Sequence, residues 1–294
     1  MLSKERLATI FEAIAQKKTL KNLKESIILD EISRVLKENP RAEREMAEKS
    51  PKDFQRSALL KQLVKEVRRS LHVTYGSFQS TSNQYDRKAL LEDLKKNPAD
   101  KEIIHKILQT NYSTKERFSI YPEIYREIFK ITSPPKNILD LGSGLNPLSF
   151  QFMNLKKAEY LATEINEEDI NFLNDYFSIA QSQGLSGKAI ILNMKDPSSE
   201  EILSQISAKA DITFMFKFLE SVELIRKRKY KVIESILRST RSRWIVASFP
   251  TRTLSQRRMR FAERKWFEAM LWRLHLQFQK IEKENEIFYV IRNN

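Results

Sequence analysis

Asn137-Ile-Leu-Asp-Leu-Gly-Ser-Gly-Leu-Asn-Pro-Leu-Ser-Phe150 reads as a strand, a glycine turn and a helix, and the fold follows from that reading. Ile138, Leu139 and Leu141 make a short apolar run that ends at Gly142. Gly144 follows two residues later, so the backbone can turn tightly and approach a ligand with no Cβ in the way. Asn146 and Pro147 suit a helix start: an Asn can cap free N–H groups, and a Pro at the first helical position gives up a donor that had no partner.

A glycine turn between strand and helix is a nucleotide-binding element. The third glycine of the dinucleotide fingerprint is absent, and Asn146-Pro147 stands where that pattern would continue, which disfavours NAD while keeping the βαβ unit. The next strand, Ala158-Glu-Tyr-Leu-Ala-Thr-Glu164, ends in a carboxylate 22 residues after Gly142, the spacing that places an acceptor beside a ribose diol. The arrangement resembles the S-adenosylmethionine (SAM) site of a class I methyltransferase; the plainer alternative is a generic βαβ turn with a surface Glu.

The 294 residues suffice for a sizeable core and for two domains. With no cysteine and only His72, His105 and His275, scattered, disulfides are excluded and no metal site is expected. The charged start Met-Leu-Ser-Lys-Glu-Arg and the lack of a long apolar run point to a cytoplasmic protein without a membrane span. The net charge of +14 is unevenly spread. Residues 1–112 hold 23 Lys/Arg against 16 Asp/Glu, residues 113–220 hold 11 against 15, and the last 74 hold 18 against 7. Basic ends around an acidic nucleotide-binding middle imply a polyanionic partner, with nucleic acid the first candidate.

Along the chain, Leu7, Ile10, Phe11 and Ile14, then Leu20, Leu23 and Ile27, then Ile32, Val35 and Leu36 recur at helical spacing. Leu59, Leu60, Leu63, Val64, Val67 and Leu71 trace a longer helix with Lys61, Lys65, Arg68 and Arg69 on its polar positions, a face suited to phosphate. Thr74 to Arg87 reads as a loop or joint. Ser113 and Glu116 match a capping box ahead of Arg117. Beyond the glycine turn the spacing predicts a helix over Glu167–Gln181, strands over Lys188–Asn193, Asp211–Phe216 and Arg243–Phe249, and a closing hairpin of Leu274–Ile281 and Ile287–Ile291. That count gives an α/β fold, a Rossmann-like seven-stranded sheet preceded by an all-α N-terminal domain. Lys217 and Phe216, at the end of the fourth strand, are candidates to line the pocket. Arg252, Arg257, Arg258 and Arg260 crowd the loop after the fifth strand, where a nucleic acid must arrive.

With these residues in view, the chain from about Lys65 onward resembles the Arm/Rmt family of aminoglycoside-resistance 16S rRNA (guanine-N7) methyltransferases. The resemblance rests on Ser113-Thr-Lys-Glu-Arg-Phe118, Gly144-Leu-Asn-Pro-Leu148, Phe216-Lys-Phe-Leu219, Ser248-Phe-Pro-Thr-Arg-Thr-Leu254 and Trp266-Phe267, in family order. It implies a helical ribosome-docking domain over residues 1–112 and a SAM-binding class I methyltransferase domain over 113–294. The expected activity is methylation of one guanine in the decoding region of the assembled 30S subunit, by a monomer, with resistance to aminoglycosides as its consequence. It further implies Arg117 as ligand of the methionine carboxylate, Gly142, Ser143 and Gly144 as the turn, and Glu164 with Ile165 at the ribose. Asn193 and Met194 stand where the family tends to place an acid facing the adenine, and Ser255-Gln-Arg-Arg-Met-Arg260 replaces a glycine-rich run. No catalytic base is expected, because guanine N7 has a lone pair and no proton to lose. Two rivals stay open: methylation of another RNA nitrogen, and a non-catalytic rRNA-binding protein with a relict SAM site.

Overall fold

The apolar spacing of the first seventy residues folds as helices. Lys4–Ala15 (α1) is capped by Ser3, whose hydroxyl accepts from the Arg6 amide. Glu25–Glu38 (α2), Pro40–Glu48 (α3), Pro51–Arg56 (α4) and Ala58–Leu71 (α5) follow. The prolines that punctuate the sequence stand in the first turns of α3 and α4, where the missing N–H had no partner. Ile10, Ile14, Ile32, Val35, Val67 and Leu71 are completely buried and form the apolar centre of this unit. Each such side chain contributes about 1.5–3 kcal/mol of burial free energy. The Arg6 guanidinium donates to the carbonyls of Met46 and Lys49, both at 2.5 Å, and satisfies the open C-terminal end of α3.

The computed structural model describes residues 2–17, 20, 23, 25–71, 85–194, 196, 198–222, 230–253, 257–259 and 262–293. Most of the joint read over Thr74–Arg87 lies outside them. Two units separate by internal contacts, Met1–Gln79 and Ser80–Asn294, whereas the motif-based boundary stands at residue 112. The difference has a packing cause. Arg87–Lys96 (α6) and Lys101–Leu108 (α7) bury Leu91, Leu94, Ile104, Ile107 and Leu108 in the same apolar cluster as the sheet residues Ile138, Tyr160 and Phe214.

In that second unit, Tyr112–Arg117 (α8) and Tyr121–Thr132 (α9) lead into the sheet. The strands and helices then alternate: Asn137–Leu141 (β1), Ala158–Glu164 (β2), Glu167–Ala180 (α10), Leu185–Ile191 (β3), Ser199–Ser207 (α11), Ile212–Phe216 (β4), Leu219–Val222 (α12), Lys231–Ser239 (α13), Trp244–Pro250 (β5), Lys265–Arg273 (α14), Gln277–Glu282 (β6) and Glu286–Arg292 (β7). The seven strands lie in the order β3-β2-β1-β4-β5-β7-β6. β1 to β5 are parallel, and β7 runs antiparallel to both β5 and β6. This is the expected seven-stranded class I methyltransferase sheet. The order of its strands reverses between β1 and β4, which places the ligand crevice outside the carboxyl ends of those strands.

Several boundaries differ from the sequence reading, each for a local reason. β3 starts at Leu185, ahead of the expected Lys188, because its ladder with β2 begins at the Ala158–Leu185 pair; Gly187 lies inside the strand, where a Cβ would stand 2.6 Å from the Phe177 ring. β6 starts at Gln277, since Leu274 caps the end of α14. α8 is capped by Asn111, whose Oδ1 accepts from the amides of Ser113 and Thr114 at 3.0 and 3.3 Å, so the Ser113–Glu116 capping box is not formed. Asn146 opens a 3₁₀ turn over Asn146–Phe152 without capping it, and its side chain points inward.

Candidate functional site

The glycine turn after β1 takes the left-handed conformations that its sequence allows, with φ of 61° at Gly142 and 53° at Gly144. Space demands glycine as well. A Cβ on Gly142 would lie 2.4 Å from the Phe218 ring, and one on Gly144 would lie 3.2 Å from Asn111 Nδ2. The Ser143 amide donates to the Thr163 carbonyl at 3.1 Å, pinning the turn to β2. The Gly144 amide donates to Glu164 Oε1 at 2.6 Å, and the Ile165 amide reaches Oε2 at 3.2 Å. The Glu164 carboxyl is only partly exposed. Burial and the nearby Asp169 push it up to about 7, against the two amide bonds that favour its charge.

Arg117 projects from α8 into a buried polar network. Its side chain is 2% exposed, and Nε donates to both carboxylate oxygens of Glu286, at 3.1 and 3.0 Å. Nη2 donates to Ser113 Oγ at 2.8 Å, and Nη1 lies 3.3 Å from both Tyr121 Oη and Asn146 Oδ1. Asn146 is the hub, because its Nδ2 donates on to Asp140 Oδ2 at 2.9 Å. The Tyr160 hydroxyl donates to the same oxygen at 2.5 Å, and burial, against these two bonds, pushes Asp140 up to about 6. The ring of Phe216 is buried beneath the guanidinium, 4.9 Å from its carbon to the ring centroid.

Lys217, the residue after β4, has a φ of 55°, a strained value for a residue with a Cβ. Its amide donates to the Ser248 carbonyl at 3.1 Å and to Ser248 Oγ at 3.0 Å, joining the ends of β4 and β5. The ammonium is buried between Glu116 Oε2 at 2.5 Å and Glu286 Oε2 at 3.4 Å. The Ser248 hydroxyl donates to Glu286 in turn. After β3, Met194 is buried and Asn193 is partly so; the Asn193 carbonyl accepts from Ser199 Oγ at 2.8 Å and from the Asp196 amide at 2.9 Å. Asp196, exposed, accepts from the Ser198 amide at 3.0 Å.

In the loop after β5, Arg252 and Arg258 form an antiparallel bridge, closed by bonds from the Thr253 amide to the Arg257 carbonyl and from the Met259 amide to the Thr251 carbonyl, both 2.8 Å. Arg252 pairs with Glu284, whereas Arg257 and Arg258 face solvent. Arg260 lies outside the described residues. A fifth arginine, Arg264, is buried against Glu220 at 2.7 Å and donates to the Pro250 carbonyl at 3.0 Å. In the helical unit, Arg68 is half-buried and donates to the Ala13 carbonyl at the end of α1. Arg69 is exposed with Lys61 and Lys65, one turn of α5 apart from each other.

The family model described as ribosomal RNA methyltransferase (FmrO) matches residues 44–290. The chain belongs to that family. It is 30% identical over 258 residues to a 16S rRNA (guanine(1405)-N(7))-methyltransferase of Proteus mirabilis, covering 79% of this chain and 84% of the relative. It is 28% identical over 239 residues to the enzyme of the same name from Micromonospora echinospora, covering 78% and 82%. Among solved structures, the 16S rRNA methyltransferase RmtF in complex with S-adenosyl-L-homocysteine superposes with a TM-score of 0.72 at 22% identity, over 99% of this chain and 100% of that one. The 16S rRNA methylase RmtB gives 0.67 at 20% identity, over 98% of each. The family read from the motifs and the class I fold both stand.

Sequence reasoning missed Glu286, Asn146, Asp140, Tyr160 and Ser248 as members of the site. One signal was available. Glu286 is the charged residue at the head of the apolar run Ile-Phe-Tyr-Val-Ile, and it is 0% exposed. Among the described residues, no group of His, Asp and Glu is placed to hold a metal ion, and no helix is long and apolar enough to cross a membrane.

Proposed function

We propose that this chain uses SAM to methylate N7 of one guanine in the decoding region of 16S rRNA within the assembled 30S subunit, in the cytoplasm and as a monomer, and that cells carrying it resist the aminoglycosides that contact that guanine. The observation that carries the reading is the glycine turn with Glu164 bound to its Gly144 amide, in a chain whose curated relatives bear that guanine-N7 activity in their names. The residues fit the cofactor. Two left-handed glycines make the tight turn, Glu164 stands beside it as acceptor for ribose hydroxyls, and the buried Arg117 supplies positive charge for a carboxylate. Glu286, Ser113 and Asn146 fix the plane of that guanidinium, so little side-chain freedom is lost on binding. Asn193 and Met194 follow β3 on the side where an adenine would lie.

SAM supplies an electrophilic methyl group on a sulfonium. The chain's own contribution is alignment, which removes about 7–11 kcal/mol from such a barrier without a general base. Lys61, Lys65 and Arg69 on α5, with Arg252, Arg257 and Arg258 after β5, are the proposed phosphate contacts, and Arg68 supports α5 from within. Purified 30S subunits incubated with enzyme and SAM, then treated with borohydride and aniline, should break at one guanine of the decoding helix, mapped by primer extension. Methylation of naked RNA alone, or SAM turnover with no break at any guanine, overturns the reading.

A further inference from the structure

Four charges cluster together: Glu116 and Arg117 from α8, Lys217 just after β4, and Glu286 at the start of β7, which pairs with the end of β5. The side chains of Glu286, Arg117 and Lys217 are 0%, 2% and 6% exposed, and that of Glu116 is 14% exposed. Of the four, Glu116 is the most exposed. It is also held rigidly. Lys217 Nζ lies 2.5 Å from its Oε2, and Asn285 Nδ2 donates to its backbone carbonyl at 2.8 Å. Its pairing with Lys217, at the end of β4, is informative. Glu164 marks the ribose side at the end of β2, and the strand order crosses from β2 through β1 to β4. A cofactor held by Glu164 and the glycine turn would lie over β2 and β1, and an acceptor base would then stand toward β4 and β5, where Lys217 holds Glu116.

We propose that Glu116 is a catalytic residue that grips the Watson–Crick edge of the target guanine, accepting hydrogen bonds from its N1–H and N2–H₂. This rests on the guanine-N7 reading above and names the residue that selects the base. A carboxylate has two acceptor oxygens and no donor, which matches the paired donors of guanine and opposes the N1 lone pair of adenine. The same charge serves the chemistry. The N7 lone pair forms the new carbon–nitrogen bond as the bond from methyl to sulfur breaks with its electron pair returning to sulfur. No proton moves, and one positive charge leaves the sulfonium and settles on the five-membered ring of the base. A fixed carboxylate on the far edge of that base interacts more strongly with the cationic product than with the neutral guanine, and so lowers the barrier. Lys217, whose ammonium lies 2.5 Å from Glu116 Oε2, acts through Glu116 as a positioning residue.

The test is a mutant cycle between Glu116→Ala and inosine in place of the target guanine, in 30S subunits reconstituted with site-specifically altered rRNA. Inosine lacks the N2 amino group and keeps N7. Single-turnover rates at saturating SAM and subunit should fall at least tenfold for Glu116→Ala and for Glu116→Gln on normal subunits, with SAM affinity by calorimetry and subunit affinity within twofold of the parent. Inosine should slow the parent at least fivefold and Glu116→Ala less than twofold. Equal losses on inosine for parent and variant overturn the inference. So does a variant rate within threefold of the parent, or a loss of rate that merely follows lost SAM affinity. Aniline cleavage by the parent is scored in the same reactions. A failed guanine-N7 reading shows as no cleavage by the parent, whereas a failed Glu116 reading shows as cleavage by parent and variants alike.

Discussion

Glu286→Leu should be the most damaging single change in the sheet unit, and a second substitution should partly repair it. Glu286 is fully buried and bonds Arg117 through two oxygens. Burial opposes its charge, but Arg117 and Lys217 outweigh that and hold the carboxyl below the ordinary range. Its contribution is therefore present at neutral pH and is lost as pH falls through that depressed value. Removing it leaves Lys217 with Glu116 at 2.5 Å. Arg117 retains hydrogen bonds to Ser113, Tyr121 and Asn146, which are neutral. One buried cation is thus stranded, at a cost of about 3–5 kcal/mol. That is a large part of the roughly 5–15 kcal/mol that holds a typical domain.

Arg117→Met in the parent should cost about 1.5–3 kcal/mol for lost charged hydrogen bonds. In the Glu286→Leu background the same change removes the stranded charge and should raise stability. Urea unfolding followed by tryptophan fluorescence reads the sheet unit alone, because the three tryptophans are Trp244, Trp266 and Trp272. Equal m-values across the four proteins would license the comparison. If Arg117→Met destabilises both backgrounds equally, within about 0.5 kcal/mol, the pair is uncoupled and the network argument fails.

Glu164, pushed up to about 7, makes SAM binding proton-linked: ribose hydroxyls donating to it favour the ionised form, so binding near pH 6.5 should release protons and weaken as pH falls. Calorimetry in buffers of different ionisation enthalpy checks this, Glu164→Gln should abolish it, and absence of proton release in the parent would refute it. For the free chain the sign is opposite, with stability falling as pH rises from the ordinary carboxylate range through about 7. Gly142→Ala should cost about 1–3 kcal/mol from its left-handed φ and more from the Phe218 clash. Phe218→Ala should recover only the clash, and an unchanged urea midpoint for Gly142→Ala would refute both. Arg257→Ala and Arg258→Ala should each lower the salt dependence of RNA binding by about 0.7–0.9 in log–log slope, and Arg252→Ala, already paired with Glu284, by less. Unchanged slopes would make this loop an ordinary solvated surface, and SAM affinity should hardly respond to the same salt.

The glycine turn, Glu164 and the alternation of strands and helices were readable because each is local, set by residues a few positions apart or one βαβ unit apart. The buried network was not. Arg117 and Glu286 are separated by 169 residues, and Lys217 and Glu116 by 101, so no spacing rule joins them. Glu116 shows how a local rule can mislead. Its spacing from Ser113 fits a capping box, yet Asn111 takes the cap, and the carboxylate is released to pair with Lys217. The same competition moved Asn146 from expected cap to hub, since a buried amide between Asp140 and Arg117 satisfies more polar groups than a cap would.

The charge of the chain falls into two fields with opposite tasks. Its exposed cations, Lys61, Lys65, Arg69, Arg257 and Arg258, stand on solvated faces, where attraction for a polyanion is long-ranged and falls with salt. Four carboxylates of the sheet unit turn inward, Asp140 and Glu286 fully buried and Glu116 and Glu164 partly so, and two of them pair with the buried Arg117 and Lys217. At physiological ionic strength exposed charges are screened over about 8 Å, while buried ones are screened far less. Because Glu286 and Glu116 balance the buried Arg117 and Lys217, those cations set no net positive charge against a sulfonium or, after transfer, a methylated base that carries the same charge. Were those two carboxylates neutralised, the buried Arg117 and Lys217 would repel both the cationic donor and the cationic product. The proposed function asks for that division: exposed cations to hold RNA, and acids buried beside the inner cations so that a positive charge can move within.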